Sequence, residues 1–207
     1  MEQVLIIIRK IKSRENVLFS LILGIAIGII TVLGQGVLPG NWNSIANSGA
    51  VWLLPTFFIG SLNSKKLKAS LSGILALLGM VIGYYGYAMI VQQVAHSFYF
   101  ILVWSVCGII GGIIFGIAGF LWSSRGPLHT LGSALIGGVF ITEGLNILIH
   151  RNDYRHMITV GYVEIIFGIL LVLILGRSIK ERLLALSWLL LIVILGIISY
   201  QVLRFFT

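Results

Sequence analysis

The sequence predicts an all-α fold, a polytopic transmembrane helix bundle of seven spans with the N-terminus inside and the C-terminus outside. Composition is the first sign: 58% of the 207 residues are hydrophobic and 10% are charged, against about 25% charged in a soluble domain. Mean hydropathy is +1.08. The chain also divides into apolar runs of about 20 residues, the length that crosses the hydrocarbon of a bilayer. Basic residues complete the pattern by falling in alternate connections. Arg9, Lys10, Lys12 and Arg14 precede the first run, Lys65, Lys66 and Lys68 follow the second, Arg125 the fourth, and Arg177, Lys180 and Arg182 the sixth. That places 11 of the 14 basic residues on one side, leaving Arg151, Arg155 and Arg204 on the other. The positive-inside rule converts this asymmetry into the stated orientation.

In chain order, residues 1–16 form a cytoplasmic segment. Its apolar stretch precedes the charges, unlike a secretory signal, and residues 4–11 fit a short amphipathic helix lying on the inner leaflet. Residues 17–207 make a single transmembrane domain with spans at 17–39, 45–62, 69–94, 98–122, 127–149, 157–176 and 183–206. The second span is the shortest and contains Pro55, which removes a hydrogen bond to the Val51 carbonyl and predicts a kink. Short, Pro-interrupted spans recur at transporter binding sites.

Small residues order the bundle. Gly24 and Gly28 in span 1 and Gly108, Gly112 and Gly116 in span 4 have the four-residue spacing that lets helix backbones approach closely. They are expected to serve helix packing or the docking of a partner. Spans 1, 3, 4 and 5 are expected at the centre. Span 7, rich in Leu and Ile with only Gly196, is expected to face lipid. Trp42, Phe98, Tyr99, Trp122, Tyr154 and Tyr200 fall near the interfaces, as an aromatic belt does.

Glu143 and Glu164 are the acidic residues inside apolar spans, and such residues mark function by default. They lie 21 residues apart with the polar turn 150–156 midway. A helical hairpin would place both about 10 to 12 Å below the outer surface. Two carboxylates this close in low dielectric oppose each other's ionisation. Asn146 shares a helix face with Glu143, and Tyr84, Tyr85, Asn47 and Trp52 fall at similar depth. The uncharged segment 35–52, with Trp42, several amides and a Pro-Gly turn, is expected to cover this cluster. The set Glu143, Glu164, Asn146, Tyr84, Tyr85, Asn47, Trp52 and Trp42 is therefore the expected ligand-binding site. Aromatic faces and carboxylates suit a small cationic or amine-bearing ligand; a proton relay and plain interhelical bonding are the other uses of the pair. His150, Asp153 and His156 have a spacing that could hold a metal, but Arg151 and Arg155 beside them repel a cation, and no metal site is expected.

Other classes are poorly served. The single cysteine, Cys107, excludes a disulfide within the chain. There is no GxxxxGK(S/T) loop, no GxSxG and no HExxH, so no nucleotide, hydrolase or zinc-protease motif is present. Span 7 lacks a lysine for a retinal Schiff base. No catalytic residue, cofactor or nucleic-acid partner is expected, since the basic residues lie between apolar runs.

The string GVLPGNWNSIANSGAVW, residues 36–52, resembles the signature of a bacterial family of small integral membrane proteins of unknown function. Gly83-Tyr84-Tyr85-Gly86, the glycines from 111 to 119 and Glu143-Gly144 resemble the family's other recurring stretches. The resemblance implies a bacterial inner-membrane protein in which the outer loop, the tyrosine pair and Glu143 belong together. The architecture is also similar to the substrate-binding subunits of energy-coupling-factor transporters, which usually have six spans. Those carry a ligand pocket near the outer face and a small-residue motif on the first helix. The expectation is a membrane-embedded small-molecule binding or transport protein with an outward-facing pocket. The alternative is a non-catalytic accessory or scaffold protein that docks a membrane partner, or a second copy, through glycine-rich helix faces. An intramembrane enzyme using both Glu residues is a third reading.

Overall fold

A computed structural model describes residues 17–124, 126 and 128–206. The expected interfacial helix at 4–11 lies outside them, as do Arg9, Lys10, Lys12, Arg14 and Arg125. Within them the chain is all-helical. Helix α1 (Val17–Val37) leads through a 3₁₀ turn (Gly40–Trp42) and a four-residue helix α2 (Asn43–Ala46) to α3 (Gly49–Ser61). Then come α4 (Lys66–Ile90), α5 (Phe98–Ser123), α6 (His129–Ile149), a 3₁₀ turn (Arg155–Met157), α7 (Ile158–Leu175) and α8 (Ile179–Leu203).

Six of these helices are long and apolar enough to cross a membrane. The exception among the expected seven is the second. Helix α3 has 13 residues, about 20 Å at 1.5 Å per residue, against a hydrocarbon core of about 30 Å. The apolar run 45–62 is thus not one helix. It is α2, a break at Asn47–Ser48, and α3. The helix continues through Pro55, so the irregular backbone sits seven residues earlier than the expected kink. The reason is local. Ser48 adopts an extended conformation and its side chain accepts from the Val51 N–H at 3.2 Å, the competition with helical bonding that favours Ser at an N-cap.

Helix directions follow from which residues meet. Gly24 packs on Ala76 and Gly28 on Met80, so α1 and α4 run parallel. Gly138 meets Ile192 and Gly196 meets Thr142, so α6 and α8 do too. Ala69, Gly73 and Leu77 pair with Gly116, Gly112 and Gly108, which makes α4 and α5 antiparallel; Gly137 with Gly168 and Gly144 with Gly161 do the same for α6 and α7. Leu53 lies on Gly111 and Ser61 on Gly119, aligning α3 with α5. The seven longer helices therefore alternate in direction, and α3 occupies the place of a full pass.

The core corrects the expected centre. Ala50 and Phe57 of α3, Phe115 and Ala118 of α5, Ile136 and Phe140 of α6 and Leu171 and Leu175 of α7 form one buried cluster. The short helix is central, and α1 is peripheral, packed on α4. Helix α8 is mostly exposed with only Ala185 fully buried, as its Leu and Ile content predicts. The five glycines proposed for packing or docking are used inside the chain. Gly24 and Gly28 abut the α4 backbone, as do Gly112 and Gly116, and a Cβ on Gly108 would lie 3.5 Å from Leu77 Cβ. Their faces pack on α4 within the chain.

These contacts make a graded prediction. A Cβ on Gly112 would lie 2.5 Å from Ile74 Cα, whereas one on Gly86 meets nothing within 4 Å. Gly112→Ala should lower stability by about 1–3 kcal/mol, the usual cost of overpacking, and Gly86→Ala should change it little. Thermal unfolding of the purified protein in detergent compares them.

Candidate binding site

The site begins with the exposed requirement of a helix end. The first N–H groups of any α-helix lack intrahelical partners, and the start of α3 is buried at Ser48 and Ala50, so partners must come from the protein. Each has a partner. Gly49 N–H donates to Glu143 Oε1 at 3.2 Å and Ala50 N–H to Oε2 at 2.7 Å. Val51 N–H donates to Ser48 Oγ at 3.2 Å, and Trp52 N–H to the Ser48 carbonyl at 3.2 Å. The carboxylate of Glu143 straddles the positive end of the α3 dipole, a favourable placement.

Helices α6, α7 and α8 complete the cluster. Tyr200 of α8 brings its hydroxyl to the same place as Glu143, over the start of α3. A Cβ on Gly49 would lie 3.7 Å from Glu143 Oε2 and 3.8 Å from the Tyr200 hydroxyl, so both oxygens stand over the first residue of α3. Glu164 of α7 is 3% exposed, lies close to Glu143, and shares with it the reach of the Ser48 hydroxyl. Its Oε2 is buried and accepts no hydrogen bond among the described residues; the same holds for Asn146 Oδ1. The two carboxylates therefore do meet, around Ser48.

Beside them is a cavity of about 340 Å³ lined by Gln35, Asn43, Ser44, Asn47, Ser48, Glu143 and Met157. Five of these seven come from α1 or the broken segment that follows it. That segment is held by its own turns: Ser44 Oγ donates to the Asn41 carbonyl at 2.7 Å, and the Trp52 indole N–H to the Ala46 carbonyl at 3.3 Å.

The expected single pocket thus divides into parts. Glu143 and Asn47 line the cavity. Glu164 lies behind Ser48, outside the lining, and Asn146 is buried with its carbonyl accepting from the His150 N–H at 3.1 Å. Trp52, Tyr84 and Tyr85 form a separate aromatic group with His96: ring centroids are 5.8 Å apart for Trp52–Tyr84, 5.0 Å for Tyr84–Tyr85 and 5.0 Å for Tyr85–His96. Trp42 is exposed on the 3₁₀ turn. The division has a simple cause. Trp52 sits in the first turn of α3 on the side that meets α4, so it carries the tyrosines away from α6.

Sequence reasoning missed Gln35, Asn43, Ser44, Ser48 and Met157 as lining residues, and Tyr200 as a partner of Glu143. The Tyr200 signal was present: it lies four residues after Gly196, the one small residue that marks the packed face of α8. In the 150–156 turn, Asp153 pairs with Arg204 at 3.4 Å and His150 Nδ1 is 3.0 Å from the Asn146 carbonyl. Among the described residues no three His, Cys, Asp or Glu side chains are grouped to hold a metal ion.

A family model described as a family of unknown function, DUF6518, matches residues 10–205. Neither a curated protein nor a solved structure matches the chain at a significant level.

The capping role of Glu143 is directly testable. Glu143→Gln keeps one acceptor but turns an amide N–H₂ toward an N–H donor, and should cost about 1–3 kcal/mol. Ser48→Ala should cost about 1 kcal/mol as an N-cap loss. Hydrogen exchange read by mass spectrometry should show faster exchange at residues 49–52 in both variants, with α4 and α5 unchanged.

Proposed function

The chain belongs to that family of unknown function, and from the geometry of the site we propose that it is a membrane-embedded protein that binds or transports a small molecule bearing a positive or amine group. One observation carries the reading. A cavity large enough for a small organic ligand opens at the N-terminus of a broken helix, with a carboxylate, amides and hydroxyls on its wall. Discontinuous helices whose ends face a mid-membrane cavity are the recurring binding device of secondary transporters. Irregular backbone at that depth is tolerated where it lines such a cavity.

The side chains support the ligand class. Glu143 supplies the charge for an ammonium group, and the oxygens of Gln35, Asn43, Ser44 and Asn47 accept from its N–H donors or from hydroxyls. An ammonium arriving at Glu143 competes with the Gly49 and Ala50 N–H groups for the same carboxylate. Binding would therefore loosen the hold on the α3 start, a means of linking occupancy to movement.

Orientation follows from charge. Lys65, Lys66 and Lys68 at the α3–α4 connection and Arg177, Lys180 and Arg182 at the α7–α8 connection lie at the end remote from the cavity. Only Arg151, Arg155 and Arg204 of the described Lys and Arg residues lie at the cavity end. The positive-inside rule turns the cavity outward and the N-terminus to the cytoplasm of a bacterial inner membrane. The scaffold alternative loses its stated surface, because α4 covers the glycine faces within the chain.

The experiment is a thermal-shift screen of the purified protein against primary and quaternary amines of graded size, beside neutral and anionic controls. An amine at 100 times its Kd should raise stability by about 2.7 kcal/mol, and Glu143→Gln should abolish the shift. Stabilisation by anions alone, or an undiminished shift in the variant, would sink the reading.

A further inference from the structure

We propose that Glu164, Ser48 and Glu143 form a second site, behind the cavity, for one small monovalent cation. It goes beyond the amine reading and stands whether or not the cavity takes an amine. Three observations converge on it. Glu164 is 3% exposed, and its Oε2 is buried without a hydrogen-bond partner among the described residues. The Ser48 hydroxyl is in reach of both carboxylates, so three oxygen-bearing groups from α6, α7 and the α3 start converge. And the charges do not balance. The N–H groups and partial positive charge of α3 are matched by Glu143. Glu164 is left, and the charged group acting on it is again Glu143. An uncompensated carboxylate in the interior is costly; one positive charge compensates it.

Ser48 and Glu143 line the cavity and the buried Glu164 does not, so its occupant is distinct from a ligand held on the cavity wall. A proton and an alkali ion such as Na⁺ share the chemistry that Glu164 lacks, a single positive charge on oxygen. The titratable groups facing Glu164 are Glu143 from α6 and Tyr200 from α8, with Tyr154 from the 150–156 turn beyond Tyr200. A cation held there neutralises the Glu143–Glu164 repulsion and so favours the arrangement in which Glu143 stays on α3.

The test is ion-linked stability of the full chain in detergent. The melting temperature is measured in NaCl and in CsCl, whose cation is too large for a small-ion site, at equal ionic strength, at acid and at alkaline pH. If the occupant is Na⁺, exchanging Cs⁺ for Na⁺ at alkaline pH should raise it by about 5 °C. If it is a proton, acidification should do so in either salt. In both cases Glu164→Gln, a neutral group of the same shape, should remove that dependence, while Glu143→Gln, which takes away the repulsion that the cation relieves, should lower the baseline and weaken the dependence. Should Glu164→Gln fail to fold, Ser48→Ala serves instead, with a weakened dependence expected. The proposal is overturned if the wild-type protein melts at one temperature in all four conditions, or if the Glu164 variant (Ser48→Ala in its place) shows the wild-type dependence undiminished. Loss of the ion effect beside an intact amine shift overturns this inference alone; the reverse pattern overturns only the amine reading.

Discussion

The bond between Glu143 and the start of α3 is the interaction on which the rest of the bundle depends. A helix of 13 residues cannot reach across a hydrocarbon core of about 30 Å, so one of its ends must lie inside it. A free helix end there carries unpaired N–H groups that lipid cannot satisfy. Glu143 takes two of them, and Ser48 takes the next two through its side chain and its carbonyl. The carboxylate, which alone would be costly at that depth, is in turn solvated by those N–H groups and by Tyr200. Each of the two features is untenable alone in the membrane, and together they satisfy one another.

The remaining architecture follows from that pairing. Because α3 begins only at Gly49, the chain between Val37 and Gly49 runs as tight turns, and these turns bring Asn43, Ser44 and Asn47 to the cavity wall. Because Glu143 must reach Gly49, α6 has to lie against α3. The glycines of α6 then draw in its neighbours: Gly137 and Gly144 admit α7, and Gly138 admits α8. The close approach of α7 is what sets Glu164 beside Glu143. On the other side Gly112 and Gly116 let α5 close on α4, and Gly24 and Gly28 let α1 close on α4. The α4 helix thereby covers the glycine faces of both.

Much of this was legible in the residues. Hydropathy located six long helices, and their bounds differ from the expected spans by only a few residues. The paired depth of Glu143 and Glu164 followed from the hairpin around the 150–156 turn. What was not legible concerned backbone and facing. Pro55 is the conspicuous breaker in span 2, yet the helix runs through it and the break falls at Asn47–Ser48, where the Ser48 hydroxyl and the Glu143 carboxylate satisfy the N–H groups of a new helix start. Hydropathy averages over such a break, since Ile45 and Ala46 are as apolar as the α3 residues that follow. Residues at one depth were also expected to share one pocket. Depth says nothing of azimuth, and Trp52 with Tyr84 and Tyr85 faces a different side of α3 from Glu143.

The two ends of α3 are held by different physics, and that difference bears on how the site would work. Toward Ser61 the helix is locked by packing: Thr56, Phe57, Ile59, Gly60 and Ser61 are buried, and Gly60 and Phe57 lie against the backbones of Gly116 and Gly119. Moving that end would open a close-packed core. Toward Gly49 the residues from Val51 to Pro55 are only half-buried, and the packing of Ala50 into the core is joined by an electrostatic hold from the Glu143 carboxylate and the Ser48 cap. A cation or ligand entering beside Glu143 acts on the very charge that supplies that hold, without disturbing the glycine contacts below.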